Sequence, residues 1–238
     1  MEKVEKLRAI ILENLEDFQG NSLVAPFNEV PDFDLYSHDY LEFAEQELNK
    51  GTSVSLVNCI THLKRSIECQ MDTFFYTFNL AKLFSRRNLK FDKKADFLKE
   101  AGVLISRSLS RFNTIRNKIE HEYRVPKIDD IEVYFDLVSA LVLLVERATF
   151  QYTGVDFFAY DENNDKKITF KMTYRREAPS IEATWRIVID GEEKEEKLEV
   201  YAEREIQEFA HFFRILTILI EFWNQQGSIA YIRRKLSQ

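Results

Sequence analysis

Glycine and proline are scarce in this chain, six and four among 238 residues. That shortage excludes a turn-dominated scaffold and favours long regular elements. Cysteine occurs only at Cys59 and Cys69. The two fall on one predicted helix, roughly 15 Å apart at the helical rise, too far to bridge. That pattern fits a reduced, cytoplasmic setting. No run of about 18 apolar residues occurs, so no membrane association is expected. The most apolar stretches, Phe135 to Val145 and Phe212 to Trp223, are interrupted by charges or too short. The charged opening Met1-Glu-Lys-Val-Glu-Lys reads as a helix start rather than a secretory signal. A surplus of positive charge is also missing, and the net charge of −7 argues against a generally basic nucleic-acid binder. No glycine-rich phosphate loop or nucleophile elbow is found. His38, His62 and His211 stand at no metal-ligand spacing with the cysteines, so neither metal nor cofactor is expected.

What is present is apolar bulk. With 45% hydrophobic residues and 20 phenylalanines, the chain can build a sizeable core as one large or two small domains. Val4, Leu7, Ile10, Ile11, Leu15 and Phe18 recur at helical spacing. Gly20 to Asp34, with two prolines, reads as a linker. Ser37 is the expected N-cap of a helix that Gly51 ends. Ser53 opens a long helix with the stripe Leu56, Ile60, Leu63, Ile67, Phe74, Phe78 and Ala81. A further helix is expected from Phe91 to Glu122, stopped by Pro126. Asp129 or Asp130 is expected to cap Ile131 to Phe150, a helix apolar nearly all round that suits a bundle centre or a subunit interface.

Beyond Gly154 the period changes to two. Val155/Phe157/Ala159, Ile168/Phe170/Met172/Tyr174 and Ala183/Trp185/Ile187/Ile189 alternate, with Asp190-Gly191 as a hairpin turn. Three or four antiparallel strands and a helix from about Glu203 to Asn224 are expected. The predicted fold is mainly α, an up-and-down four-helix bundle followed by a small α+β region with an antiparallel sheet and a C-terminal helix. The expected divisions are an N-terminal helix and linker (1–36), a helical bundle (37–150) and an α+β region (151–238).

Charge is unevenly spread. Lys82 to Arg124 holds twelve Lys/Arg against five Asp/Glu, which leaves the remainder at −14. Within it lies Arg116-Asn117-Lys118-Ile119-Glu120-His121. A guanidinium is a permanent, fork-shaped partner for phosphate, and an imidazole moves protons near neutrality. Arg116 falls about 50° from the centre of the apolar stripe of its predicted helix, where a charge needs a partner or a purpose. Pairing with Glu120, Glu68 or Asp72 would be structural; facing a cleft shared between subunits would be functional. His121 lies about 140° from Arg116 on an ideal helix, so one helix does not join them, and a second copy of the chain could. Asn117, one turn before His121, is placed to fix its tautomer. Arg107, Arg111 and Lys118 share a helical stripe with His121 and suit a phosphate track. Tyr123 and Arg124 could grip a backbone or stack a base.

At Arg116 to His121 the chain resembles the HEPN superfamily, helical-bundle proteins marked by Arg, a polar residue and a following His. Thr61 to Gln70 likewise resembles the second helix of such proteins, and the likeness covers roughly Ser37 to Phe150. The resemblance implies a homodimeric, metal-independent endoribonuclease of a toxin–antitoxin or defence system. Its composite site would comprise catalytic Arg116, His121 and Asn117, with attack by the RNA's 2′-hydroxyl leaving a 2′,3′-cyclic phosphate. It also implies an antitoxin or regulatory partner. Other readings are a non-catalytic binding adaptor and a nucleotide-binding sensor. Asp161 to Asp165 opens like a calcium loop but has Lys166 and Met172 where glycine and glutamate are needed, so it reads as a hairpin turn.

Overall fold

A computed structural model describes residues 1–86, 91–104, 114, 127–161 and 165–238. Among them are eight helices and one five-stranded antiparallel sheet. In chain order these are α1 (Glu2–Asn14), β1 (Gln19–Val24), α2 (Ser37–Lys50), α3 (Ser53–Thr77), α4 (Ala81–Arg86), α5 (Phe91–Glu100) and α6 (Ile128–Thr149). They are followed by β2 (Gly154–Asp161), β3 (Lys166–Arg175), β4 (Ser180–Ile189), β5 (Glu192–Tyr201), α7 (Ile206–Trp223) and α8 (Ile229–Leu236). The chain forms two compact units, one from Asn28–Lys99 and Val103–Phe150, the other from Met1–Phe27, Glu100–Gly102 and Gln151–Gln238.

This corrects the expected fold of a four-helix bundle with an α+β region after it. The sheet is begun before the helical unit and completed after it, because Gln19–Val24, expected within a linker, pairs antiparallel with β2. The strand escaped the alternation test because its residues, QGNSLV, are mostly exposed at a sheet edge and need no apolar face. Gly20 is required there: the Trp223 indole occupies the space a Cβ would fill. Thr153 ties the strand's end, its N–H donating to the Val24 carbonyl at 3.0 Å and its hydroxyl to the Ala25 carbonyl at 2.7 Å.

The sheet is a simple meander in the order β1-β2-β3-β4-β5. Asp190 and Gly191, both at positive φ (51° and 81°), make the expected two-residue turn between β4 and β5. Phe157, Phe170, Met172, Tyr174, Ala183 and Val200 point to one face and are buried. Phe18 stacks on Phe157 at 5.4 Å, Phe222 lies 5.6 Å from the same ring, and Tyr174 meets Phe209 edge-on at 5.7 Å. Each such ring contributes roughly 1.5–3 kcal/mol by leaving water. α7 thus covers one sheet face, and α8, absent from the sequence expectation, follows it with Ser228 as a side-chain cap.

In the helical unit, α3 buries Leu56, Ile60, Leu63, Ile67 and Phe74 of its predicted stripe and its C-cap Phe78, but the helix ends at Thr77, and Ala81, expected on the same stripe, opens α4 half-buried. Thr52 caps it, accepting from the Ser55 N–H at 3.1 Å. Ser37 does not cap α2. Its hydroxyl donates to Gln70 at 2.7 Å and its carbonyl accepts from Ser66 at 2.8 Å, so it ties α2 to α3, while Asp39 accepts from the Tyr36 N–H at 2.7 Å. The single helix expected from Phe91 to Glu122 is also corrected. α5 ends at Glu100, where Gly102 takes φ 75° and the Val103 N–H closes on the Leu98 carbonyl at 2.8 Å, a Schellman stop. α6 starts three residues before the expected Ile131, with Lys127 at the N-cap and Asp129 and Asp130 inside the first turn, where they favour the positive end of the helix dipole.

Candidate functional site

Every site residue expected from the motif, namely Arg107, Arg111, Arg116, Asn117, Lys118, His121, Tyr123 and Arg124, lies outside the described residues. The helix that carries the second part of the resemblance, α3, is described over its whole length. Along it Arg65, Glu68, Cys69 and Asp72 recur every three or four residues and so share one face. The segment from Pro31 to Tyr36 crosses that face, folded back on itself by the Tyr36 hydroxyl, which donates to the Pro31 carbonyl at 2.6 Å. Cys69 Sγ lies 3.7 Å from the Leu35 carbonyl.

The result is an open cleft of about 550 Å³ within the helical unit. Phe33 and Tyr40 supply rings, Arg65 one guanidinium, and Asp32, Asp34, Glu68 and Asp72 four carboxylates. Asp72, one of three carboxylates weighed as a structural partner for Arg116, is engaged by Lys94 of α5. Burial, then Asp72 and Asp39, push the Cys69 thiol up to about 11. It is therefore a neutral thiol near pH 7 and not a ready nucleophile. Cys59, buried in the same helix, is also raised to about 11 by desolvation. Both cysteines are free thiols.

His62, one turn before Arg65, has its ring 6.4 Å from Tyr40 and 5.6 Å from Phe43. Burial lowers its pKa, and the Arg65 charge lowers it further. It is held neutral, with Nδ1 buried and lacking a hydrogen-bond partner among the described residues. His38 instead faces solvent, 3.2 Å from both carboxylate oxygens of Glu146 on α6. Among the described residues no group of His, Cys, Asp and Glu could hold a metal ion.

Among the described residues the lining thus combines two rings, one guanidinium and four carboxylates, of which Asp72 is held by Lys94. Sequence reasoning missed this cleft, although the polar stripe at every third or fourth position of α3 was a legible signal. α6 is buried through Ile131, Tyr134, Val138, Leu141, Val142 and Val145, yet Val133, Leu143 and Leu144 remain 46%, 56% and 40% exposed. Its apolar girth thus exceeds what the helical unit covers.

Comparison with protein-family models, with curated proteins and with solved structures finds no match to this chain. Among the described residues no helix is long and apolar enough to cross a membrane.

Proposed function

We propose that the chain is a metal-independent endoribonuclease of a toxin or defence type, acting as a homodimer in the cytoplasm. The observation that carries this reading is the run Arg116-Asn117-Lys118-Ile119-Glu120-His121 within the most basic stretch of an acidic chain. In the proposed reaction His121 moves protons, Arg116 stabilises charge on the phosphorus oxygens and Asn117 orients the imidazole. The RNA's own 2′-hydroxyl attacks the adjacent phosphorus and the 5′-oxygen leaves, giving a 2′,3′-cyclic phosphate and a 5′-hydroxyl. Arg107, Arg111, Lys118 and Arg124 guide the backbone, and Tyr123 meets a base.

Two described features support the reading. The exposed apolar side of α6 supplies a surface that a second copy could cover, as a composite site requires. Two unbridged cysteines agree with a reducing compartment. A regulatory or antitoxin partner fits the same picture, since an unrestrained RNase harms its host.

The test is RNA cleavage by the purified chain in EDTA. The wild type cuts, while Arg116→Ala and His121→Ala lose cutting with unchanged melting temperatures. A second reading, a non-catalytic adaptor, is favoured by the cleft on α3, where the Phe33 and Tyr40 rings beside Asp32 and Asp34 suit a basic partner segment better than RNA. It predicts that Arg116→Ala chiefly lowers the melting temperature and that no variant alters RNA.

A further inference from the structure

The outer face of the sheet, opposite α7, has a composition that the scaffold does not require. β3 alternates strictly: Ile168, Phe170, Met172 and Tyr174 are buried, while Lys167, Thr169, Lys171, Thr173 and Arg175 face outward. On neighbouring β2, Phe158 and Tyr160 face the same way, 40% and 49% exposed, in register with Thr169 and Lys167 respectively. Rings at i and i+2 of a strand stand roughly 7 Å apart, and the two lysines of β3 roughly 13 Å apart.

The charges on this face are sorted. On β4 and β5 the cations are held by glutamates, Arg186 by Glu193 at 3.2 Å and Glu195 at 3.5 Å, and Lys197 by Glu182 and by Glu199, the latter at 3.4 Å; at the far end of β3, Arg175 is likewise held by Glu182 at 2.8 Å. On the β2–β3 side Lys167 and Lys171 have no carboxylate within 4 Å among the described residues. Lys167 Nζ instead lies 5.4 Å from the centre of the Tyr160 ring. Two acids stand on this half among the described residues: Asp156, in register with Lys171, accepts from Asn21 at 3.0 Å, and Asp165 accepts from the Tyr160 hydroxyl at 3.4 Å. The face is therefore divided into a half whose cations are ion-paired with glutamates and a half where two lysines, with no carboxylate within 4 Å among the described residues, stand beside two exposed rings.

We propose that this half is a binding platform for single-stranded nucleic acid, with bases stacking on Phe158 and Tyr160 and phosphates meeting Lys167 and Lys171. Every base has a π-face, so rings on a strand bind unpaired bases without reading sequence. The cations beside them neutralise the backbone. The rings are bordered by Thr169, the lysines and the aspartates Asp156 and Asp165 rather than by aliphatic side chains, which is unlike the apolar centre of a protein–protein interface. Glutamates along β5 repel phosphate, so the strand runs along β2 and β3 instead of across the sheet. On binding, Lys167 moves from the Tyr160 ring to a phosphate.

The proposal stands apart from the nuclease reading, because a 2′-deoxy oligonucleotide lacks the attacking hydroxyl and reports binding alone. The experiment is fluorescence anisotropy of a short labelled single-stranded oligodeoxynucleotide titrated with the full chain. Saturable binding is expected, weakened about tenfold by Phe158→Ala. Lys171→Gln should reduce the slope of log affinity against log salt by about 0.7, the value for one phosphate on a single strand. Arg186→Gln, on the neutralised half, should change neither. All three side chains face solvent, so circular dichroism should be unaltered. Absence of binding overturns the proposal. So does equal binding of the matching duplex or of polyglutamate with no loss in Phe158→Ala, which would reveal a general polyanion surface. Failure of the nuclease reading alone would leave this binding intact while RNA remained uncut.

Discussion

His62 and His211 sit in different units yet share one electrostatic condition, a ring partly withdrawn from water with a buried Nδ1. Burial is the main cause that lowers both pKa values below the usual 6.5; Glu100, 3.8 Å from His211, opposes the shift there. The folded chain then binds fewer protons than the unfolded chain between the lowered and the ordinary values, so stability rises with pH across that window. Their contribution is complete above about pH 6.5 and is lost as pH falls through the folded values. Thermal melts from pH 7.5 to 5 should show a falling melting temperature, and the double variant His62→Gln/His211→Gln should flatten that dependence. An equally steep fall in the double variant would show that other groups govern it.

At the scale of elements, what was legible in the sequence tracks how one-sided each element's environment is. α3 and β2 to β4 bury one face, and their stripes predicted both type and facing. β1 has nothing to alternate against and was hidden for that reason. The break after α5 was hidden differently: apolar residues continue at helical spacing past Leu98, and only Gly102 marks the stop. Gly102→Ala puts a Cβ at φ 75° and should cost about 1 kcal/mol, read as a lower urea midpoint at constant slope. A stability equal to wild type would mean that this left-handed stop is not required. Ser37 teaches a similar lesson, since a good capping residue was drawn into the α2–α3 seam by Ser66 and Gln70. The α3 cleft and the outer sheet face are legible in the sequence as polar periodicities of three to four and of two residues.

For the molecule as a whole, the sheet-bearing unit is assembled from both ends of the chain, with the helical unit between them. Deleting Met1–Val24 therefore removes α1 and the edge strand, leaves Trp223 without Gly20, and should strip amide-exchange protection from β2 through Val155 and Phe157. Protection of β2 that survives the deletion would show that the edge strand does not hold β2 in place. The proposed nuclease would need two copies of the chain to combine one guanidinium and one imidazole around a phosphate. Its most direct test is the chemistry of the ends left on RNA incubated with the chain in EDTA. The account predicts 2′,3′-cyclic phosphate and 5′-hydroxyl termini, formed by wild type and by neither Arg116→Ala nor His121→Ala. Intact RNA, 5′-phosphate termini, or the same cuts made by the His121→Ala protein would contradict it.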